Sequence, residues 1–217
     1  MEIITKFIII VDMKIEENKY LLSDRNFVQN ETEKKQIILS NSFNHDMRHV
    51  IGWSNRLNGE YTKTAAFTID VAGVIHKHFN PIYYSNYLDN QTLDKKSIVI
   101  LIENDGWLHL NEKNKFVNWF GDIYKHQTKV FTKKWRNKEY WSIYNKKQLK
   151  SAIELTKKLC LDFNIPFNVM EHNVKVNFIE EFNGVCYKGN LGKHYIDLNP
   201  SWDYQEFKKN VEDERQN

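Results

Sequence analysis

Lys96-Ser97-Ile98-Val99-Ile100-Leu101-Ile102-Glu103-Asn104 holds five consecutive apolar residues between polar ends. A strand with one wet face alternates apolar and polar side chains, whereas a run that is apolar at every position must be covered on both faces. Gln36-Ile37-Ile38-Leu39-Ser40-Asn41 is a second run of this kind. Ala66-Phe67-Thr68-Ile69-Asp70, a turn at Val71-Ala72-Gly73 and Val74-Ile75-His76-Lys77-His78-Phe79 read as a hairpin. Buried strands need covering helices, and two are expected. One spans His45 to Leu57. The other spans Lys146 to Phe163, where Leu149, Ala152, Ile153, Thr156, Leu159, Cys160 and Phe163 recur at spacings of three and four. The expected architecture is α/β: a central mixed β-sheet flanked by helices in a single domain.

After the second helix, Asn164-Ile165-Pro166 stops helical continuation, so Phe167-Asn168-Val169-Met170 is expected to enter a strand that delivers His172 at its end. Asp197 follows twenty-five residues later in Tyr195-Ile196-Asp197-Leu198-Asn199-Pro200. Imidazole nitrogen and carboxylate oxygen are ordinary Zn²⁺ ligands, and a catalytic zinc keeps three protein ligands and an open position for water. The bland alternatives are a hydrogen-bonded structural histidine at 172 and a turn-forming carboxylate at 197.

The order of these segments, from Ile37-Ile38-Leu39-Ser40-Asn41-Ser42 through Thr64 to Ile75, Lys96 to Asn104 and the long helix to His172 and Asp197, resembles the type 2 N-acetylmuramoyl-L-alanine amidases. That family includes phage endolysins and the peptidoglycan recognition proteins. The resemblance implies a zinc-dependent hydrolase that cleaves the amide between muramic acid and L-alanine in peptidoglycan. It places two metal ligands at His172 and Asp197 and the first ligand, normally a histidine, on Ser40. The family's strand glutamate falls on Leu101, with Glu103 two residues later as the proton handler. The oxyanion-stabilising lysine falls on Tyr195, with Lys193 just upstream as its substitute and His194, His45 or a water as replacements for the missing ligand. A slow zinc amidase of phage-lysin type is the leading expectation; a non-catalytic relative that binds wall glycan or serves in a virion is the alternative.

The remaining readings bound the partners. The chain of 217 residues, 41% hydrophobic, can bury one sizeable core, and its net charge of +3 suits anionic cell-wall polymers but is too dispersed for nucleic acid. Cys160 and Cys186 are too few and too far apart for a disulfide framework or zinc knuckle, although cysteine can serve the family as a late ligand. His45 and His49 are expected on a solvated helix face, and His76 and His78 on a strand surface, with His76 a candidate substrate contact. The organisation expected is an N-terminal arm over residues 1–33, a domain over 34–208 and a polar tail over 209–217. Within the domain, an insertion at 111–144 is rich in aromatic residues, and Trp135 and Trp141 are candidate sugar-stacking residues there. Phe7-Ile8-Ile9-Ile10-Val11 is too short for a membrane span or signal core and is expected as an edge strand. Lacking a targeting signal, the protein is expected to be made in a host cytoplasm or carried in a virion, without a membrane partner.

Overall fold

A computed structural model describes residues 13–213, so the expected strand at Phe7 to Val11 lies outside the described residues. Six strands form the main sheet: β1 (Ile15–Glu16), β2 (Gln36–Asn41), β3 (Phe67–Ile69), β4 (Ile75–Lys77), β5 (Ser97–Ile102) and, late in the chain, β10 (Gly184–Tyr187). Their order across the sheet is β1-β4-β3-β5-β2-β10. The β3–β4 hairpin is antiparallel and every other pairing is parallel, which makes the sheet mixed. The two long apolar runs, β2 and β5, sit beside each other near the middle, and every residue of both is buried. Their register places Ser40 opposite Leu101 and Asn41 opposite Ile102.

Four helices flank this sheet: α1 (Arg48–Asn55), α2 (Gln91–Lys96), α3 (Lys146–Asp162) and α4 (Tyr204–Glu212). Helix α3 begins at a capping box, in which the Asn145 side chain accepts from the Gln148 amide and the Gln148 side chain accepts from the Asn145 amide. Its buried stripe of Leu149, Ala152, Leu155, Leu159 and Cys160 packs into the core. Helix α1 is shorter than expected because Met47 takes a left-handed conformation just before it and Leu57 and Asn58 do so just after. Helix α4 runs through 209–212, where a polar tail is expected, and Val211 within it is fully buried. The arm is also packed where it is described: Leu22 and Phe27 join the core, and the buried Asn26 amide donates to the carbonyls of Gly59 and Tyr61.

The aromatic-rich insertion is a second sheet. Strands β6 (Trp107–Leu110), β7 (Phe116–Val117), β8 (Val130–Trp135) and β9 (Lys138–Ser142) pair antiparallel in the order β7-β6-β9-β8. Trp141 is fully buried within it, and its indole N–H donates to the Lys133 carbonyl at 2.8 Å. It therefore cannot face a sugar, which corrects the substrate-contact expectation for that residue. Trp135 is half-buried, with its ring 5.5 Å from that of Trp141 and the Arg136 guanidinium 4.4 Å above it. The β8–β9 turn holds Arg136 and Asn137 at φ values of 47° and 62°, the left-handed pair that a two-residue hairpin turn requires.

Candidate functional site

The C-terminal end of β2 is where the separated segments meet. The Ser40 hydroxyl lies 2.9 Å from the Tyr87 hydroxyl and 3.3 Å from Asp197 Oδ1, which also accepts the Asn41 amide N–H at 2.9 Å. Residues 157 positions apart in sequence are thus joined at the point where the strand stops. Ser40 is completely buried and Asp197 nearly so. Burial raises the proton affinity of Asp197, and the positive charge of Lys188 is the main influence holding it down.

Lys188 follows β10 directly and extends over two rings, with its ammonium 4.1 Å from the Tyr87 centroid and 5.0 Å from that of Tyr195. The position where the resemblance puts a lysine is therefore a ring that supports a lysine from another segment. The next residue, Gly189, donates its amide N–H to the Asp197 carbonyl at 2.7 Å, and a Cβ built there would fall 2.2 Å from that same oxygen. Gly189→Ala should accordingly push Asp197 off Ser40 and cost about 2 kcal/mol, as overpacking of a filled interior does. Urea denaturation measures this; a variant as stable as wild type would show that the approach of the two chains is not needed.

His172 is set beside this cluster by aromatic packing. Its ring stacks on Tyr204, with centroids 5.6 Å apart and planes 17° from parallel, and meets Tyr187 edge-on at 4.9 Å. Fully buried Asn190 holds the loop, donating to the carbonyls of Glu171 and Val174. Burial pulls the imidazole pKa down to about 4, so the ring is neutral at pH 7. Nε2 is 3.2 Å from the Leu198 carbonyl, and because a carbonyl can only accept, Nε2 carries the proton and Nδ1 the lone pair. The strand expected over Phe167 to Met170 is reduced to one parallel bridge, Val169 to Val185.

These residues do not make a three-ligand zinc set. Among the described residues no three His, Cys, Asp or Glu side chains are grouped to hold a metal. Ser40 offers only a hydroxyl, and Asp197 Oδ1 already takes two hydrogen bonds. The proposed substitutes lie elsewhere: His45 pairs with Asp105 at 3.1 Å, and His194 is exposed against the Tyr195 ring. Cys186 is fully buried within β10 with its thiol pKa pushed up, and both cysteines are unpaired as expected.

Other candidates are displaced as well. Glu103 accepts the Met47 amide at 2.6 Å and the Val71 amide at 3.3 Å, so its carboxylate ties the start of α1 to the β3–β4 turn. No hydrogen bond or ion pair among the described residues links it to Ser40, His172 or Asp197, and burial raises its pKa to about 7. Lys193 is exposed and faces a surface cleft beside Arg136. His76 is 5% exposed, with Nε2 3.0 Å from Asp70, which removes it from any surface a glycan could reach. His49 and His78 are not solvated either: both hydrogen-bond the buried Thr68 hydroxyl, at 3.0 and 2.8 Å. Sequence reasoning missed Tyr87 and Lys188, and no spacing signal marks either one.

No family model and no curated protein matches the chain. Solved structures do. The catalytic domain of XlyA aligns over 91% of this chain and 99% of its own at 15% identity, with a TM-score of 0.54. The N-acetylmuramoyl-L-alanine amidase LysC from Clostridium intestinale URNW aligns over 91% and 97% at 13% identity, with a TM-score of 0.51. The E. coli N-acetylmuramyl-L-alanine amidase AmiD, solved with anhydro-N-acetylmuramic acid-L-Ala-D-gamma-Glu-L-Lys, aligns over 84% of this chain and 59% of its own at 10% identity, with a TM-score of 0.52. With the mixed sheet, the flanking helices and the junction of β2 with the Asp197 loop, these likenesses show that the chain has the fold of the N-acetylmuramoyl-L-alanine amidases and endolysins.

Proposed function

We propose that the protein acts on peptidoglycan as an N-acetylmuramoyl-L-alanine amidase of reduced activity, of the phage-lysin type. The observation that carries this reading is the convergence of Ser40 and Asp197, with His172 one carbonyl away at Leu198, at the strand end where the resemblance expects the catalytic centre. Amide hydrolysis adds water to the carbonyl carbon, builds negative charge on its oxygen and delivers a proton to the departing nitrogen. Asp197, its proton affinity raised by burial, is suited to take and return the proton, and Lys188 supplies positive charge for the oxyanion. The zinc expectation is not met by this donor set, and no step is assigned to a metal.

The complete burial of Ser40 and the apolar Leu101 beside it favour a second reading, a non-catalytic protein that binds the same polymer or serves in a virion. Mass spectrometry of digested sacculi separates the two. The amidase reading expects slow release of peptides beginning with L-alanine, abolished by Asp197→Asn and reduced at least tenfold by Lys188→Met, since loss of one charge-stabilising donor costs about 2–3 kcal/mol. Background release by wild type and both variants would discard hydrolysis and leave the binding reading. No helix among the described residues is long and apolar enough to cross a membrane.

A further inference from the structure

A cleft of about 410 Å³ opens beside the His172 loop, lined by Arg136, Asn137, Asn173, Lys175 and Lys193. Three cations and no carboxylate line it. Neither lysine has an ion-pair or hydrogen-bond partner among the described residues. Arg136 is fixed in place: its guanidinium donates to the carbonyls of Gly192 at 2.9 Å, Gly189 at 3.0 Å and Asn173 at 3.4 Å. Those three bonds leave two of its five N–H groups free. The backbone cost of a left-handed Arg136 at the tip of the β8–β9 hairpin is thus matched by a positioned cation. Asn173, also left-handed, has a buried side-chain oxygen without a hydrogen-bond partner. A buried acceptor left unpaired is costly, and a ligand hydroxyl would satisfy it once the Asn173 side chain turns toward the cleft it lines.

We infer that this cleft binds a polyol phosphodiester, the chemistry of the anionic polymers that accompany peptidoglycan in cell walls. The lining asks for several negative charges at once, because one carboxylate would leave most of the positive charge unmatched. A phosphodiester repeat supplies one charge per unit. Its phosphate oxygens suit the two free guanidinium N–H groups and the mobile ammonium groups, and its hydroxyls suit the orphaned Asn173 oxygen. The choice of a cell-wall polymer rests on the peptidoglycan-directed reading above, but the cleft is lined by the β8–β9 turn, the 173–175 loop and Lys193, so it does not depend on whether the Ser40–Asp197 centre turns over.

Isothermal titration of the intact protein with a synthetic oligo(glycerol phosphate) tests this, with a polyglutamate of equal charge as the second probe. The phosphodiester should bind, weaken several-fold between 50 and 200 mM salt as screened charge contacts do, and weaken at least tenfold in Lys175→Glu/Lys193→Glu. Both lysines are exposed, so circular dichroism should show the double variant folded. Unchanged affinity in the double variant would overturn the site. Equal or tighter binding of polyglutamate would overturn the phosphodiester and point to peptide carboxylates instead.

Discussion

Lowering the pH from 7 to 5 should withdraw about 2 kcal/mol of stability for each of three buried histidines. The three are neutral because burial depresses their pKa values, to about 3 for His49 and about 4 for His78 and His172. In the unfolded chain each takes up a proton near pH 6.5, so the stability they carry is complete above that value and is lost as pH falls toward 4. Each contributes up to about 1.4 kcal/mol per pH unit in that window. Glu103, raised to about 7, Asp94, raised to about 6, and Asp197, also raised by burial, act in the opposite direction, because their folded forms hold protons that the unfolded forms release above pH 4–5. The histidine share is therefore read from the difference in pH dependence between wild type and His78→Gln. The geometry agrees: the Thr68 hydroxyl has one proton to share between His49 and His78, while His78 Nδ1 donates to the Tyr20 carbonyl at 2.9 Å. Nε2 of His78 therefore accepts from Thr68, and protonating it would set two hydrogens against each other. Urea midpoints at pH 7, 5 and 4 measure the loss. The same pH dependence in both proteins would mean that the histidines are hydrated and that the cluster is misread.

Trp141→Ala should destabilise the protein by about 3–5 kcal/mol, the usual range for deleting a fully buried tryptophan. The residue fills the centre of the second sheet, pairing with Trp107 across β6–β9 and with Phe131 across β8–β9. Removing it opens a cavity and frees the Lys133 carbonyl from its indole donor. The same change should leave sacculus binding by the folded fraction untouched. A loss below 1 kcal/mol accompanied by weaker sacculus binding would restore this tryptophan to a substrate groove.

What the sequence discloses follows from how each element is buried. Strands β2 and β5 lie deep between neighbours, so their residues are apolar without alternation and can be read directly. Helix α3 is legible because its stripe repeats and its cap is a local pattern. β10 escapes notice because Gly184-Val185-Cys186-Tyr187 has only four residues and gains its identity from pairing with β2. The second sheet escapes for the opposite reason: in β8, Phe131 to Lys134 are exposed, so the strand lacks a buried signature and the segment reads as a long loop. The resemblance assigns Ser40 and Asp197 to one site and the structure brings them into contact, whereas Tyr87 and Lys188 reach them from segments whose paths no local pattern encodes. Glu103 shows the limit of placement by strand parity alone. It lies just past the end of β5, and the amides of Met47 and Val71 claim its carboxylate.

The proposed function puts an amidase centre at Ser40, His172 and Asp197, where the resemblance expects a first metal ligand at position 40 and a serine stands instead. A histidine at position 40 would start from the same backbone site and face Asp197, so Ser40→His should create a three-ligand set with His172 and Asp197. The decisive measurement is release of L-alanine-terminated peptides from sacculi by zinc-loaded Ser40→His, with circular dichroism confirming that the enlarged side chain is accommodated. The account predicts at least a tenfold gain over wild type, lost again in Ser40→His/His172→Ala. A folded Ser40→His protein no more active than wild type would contradict it.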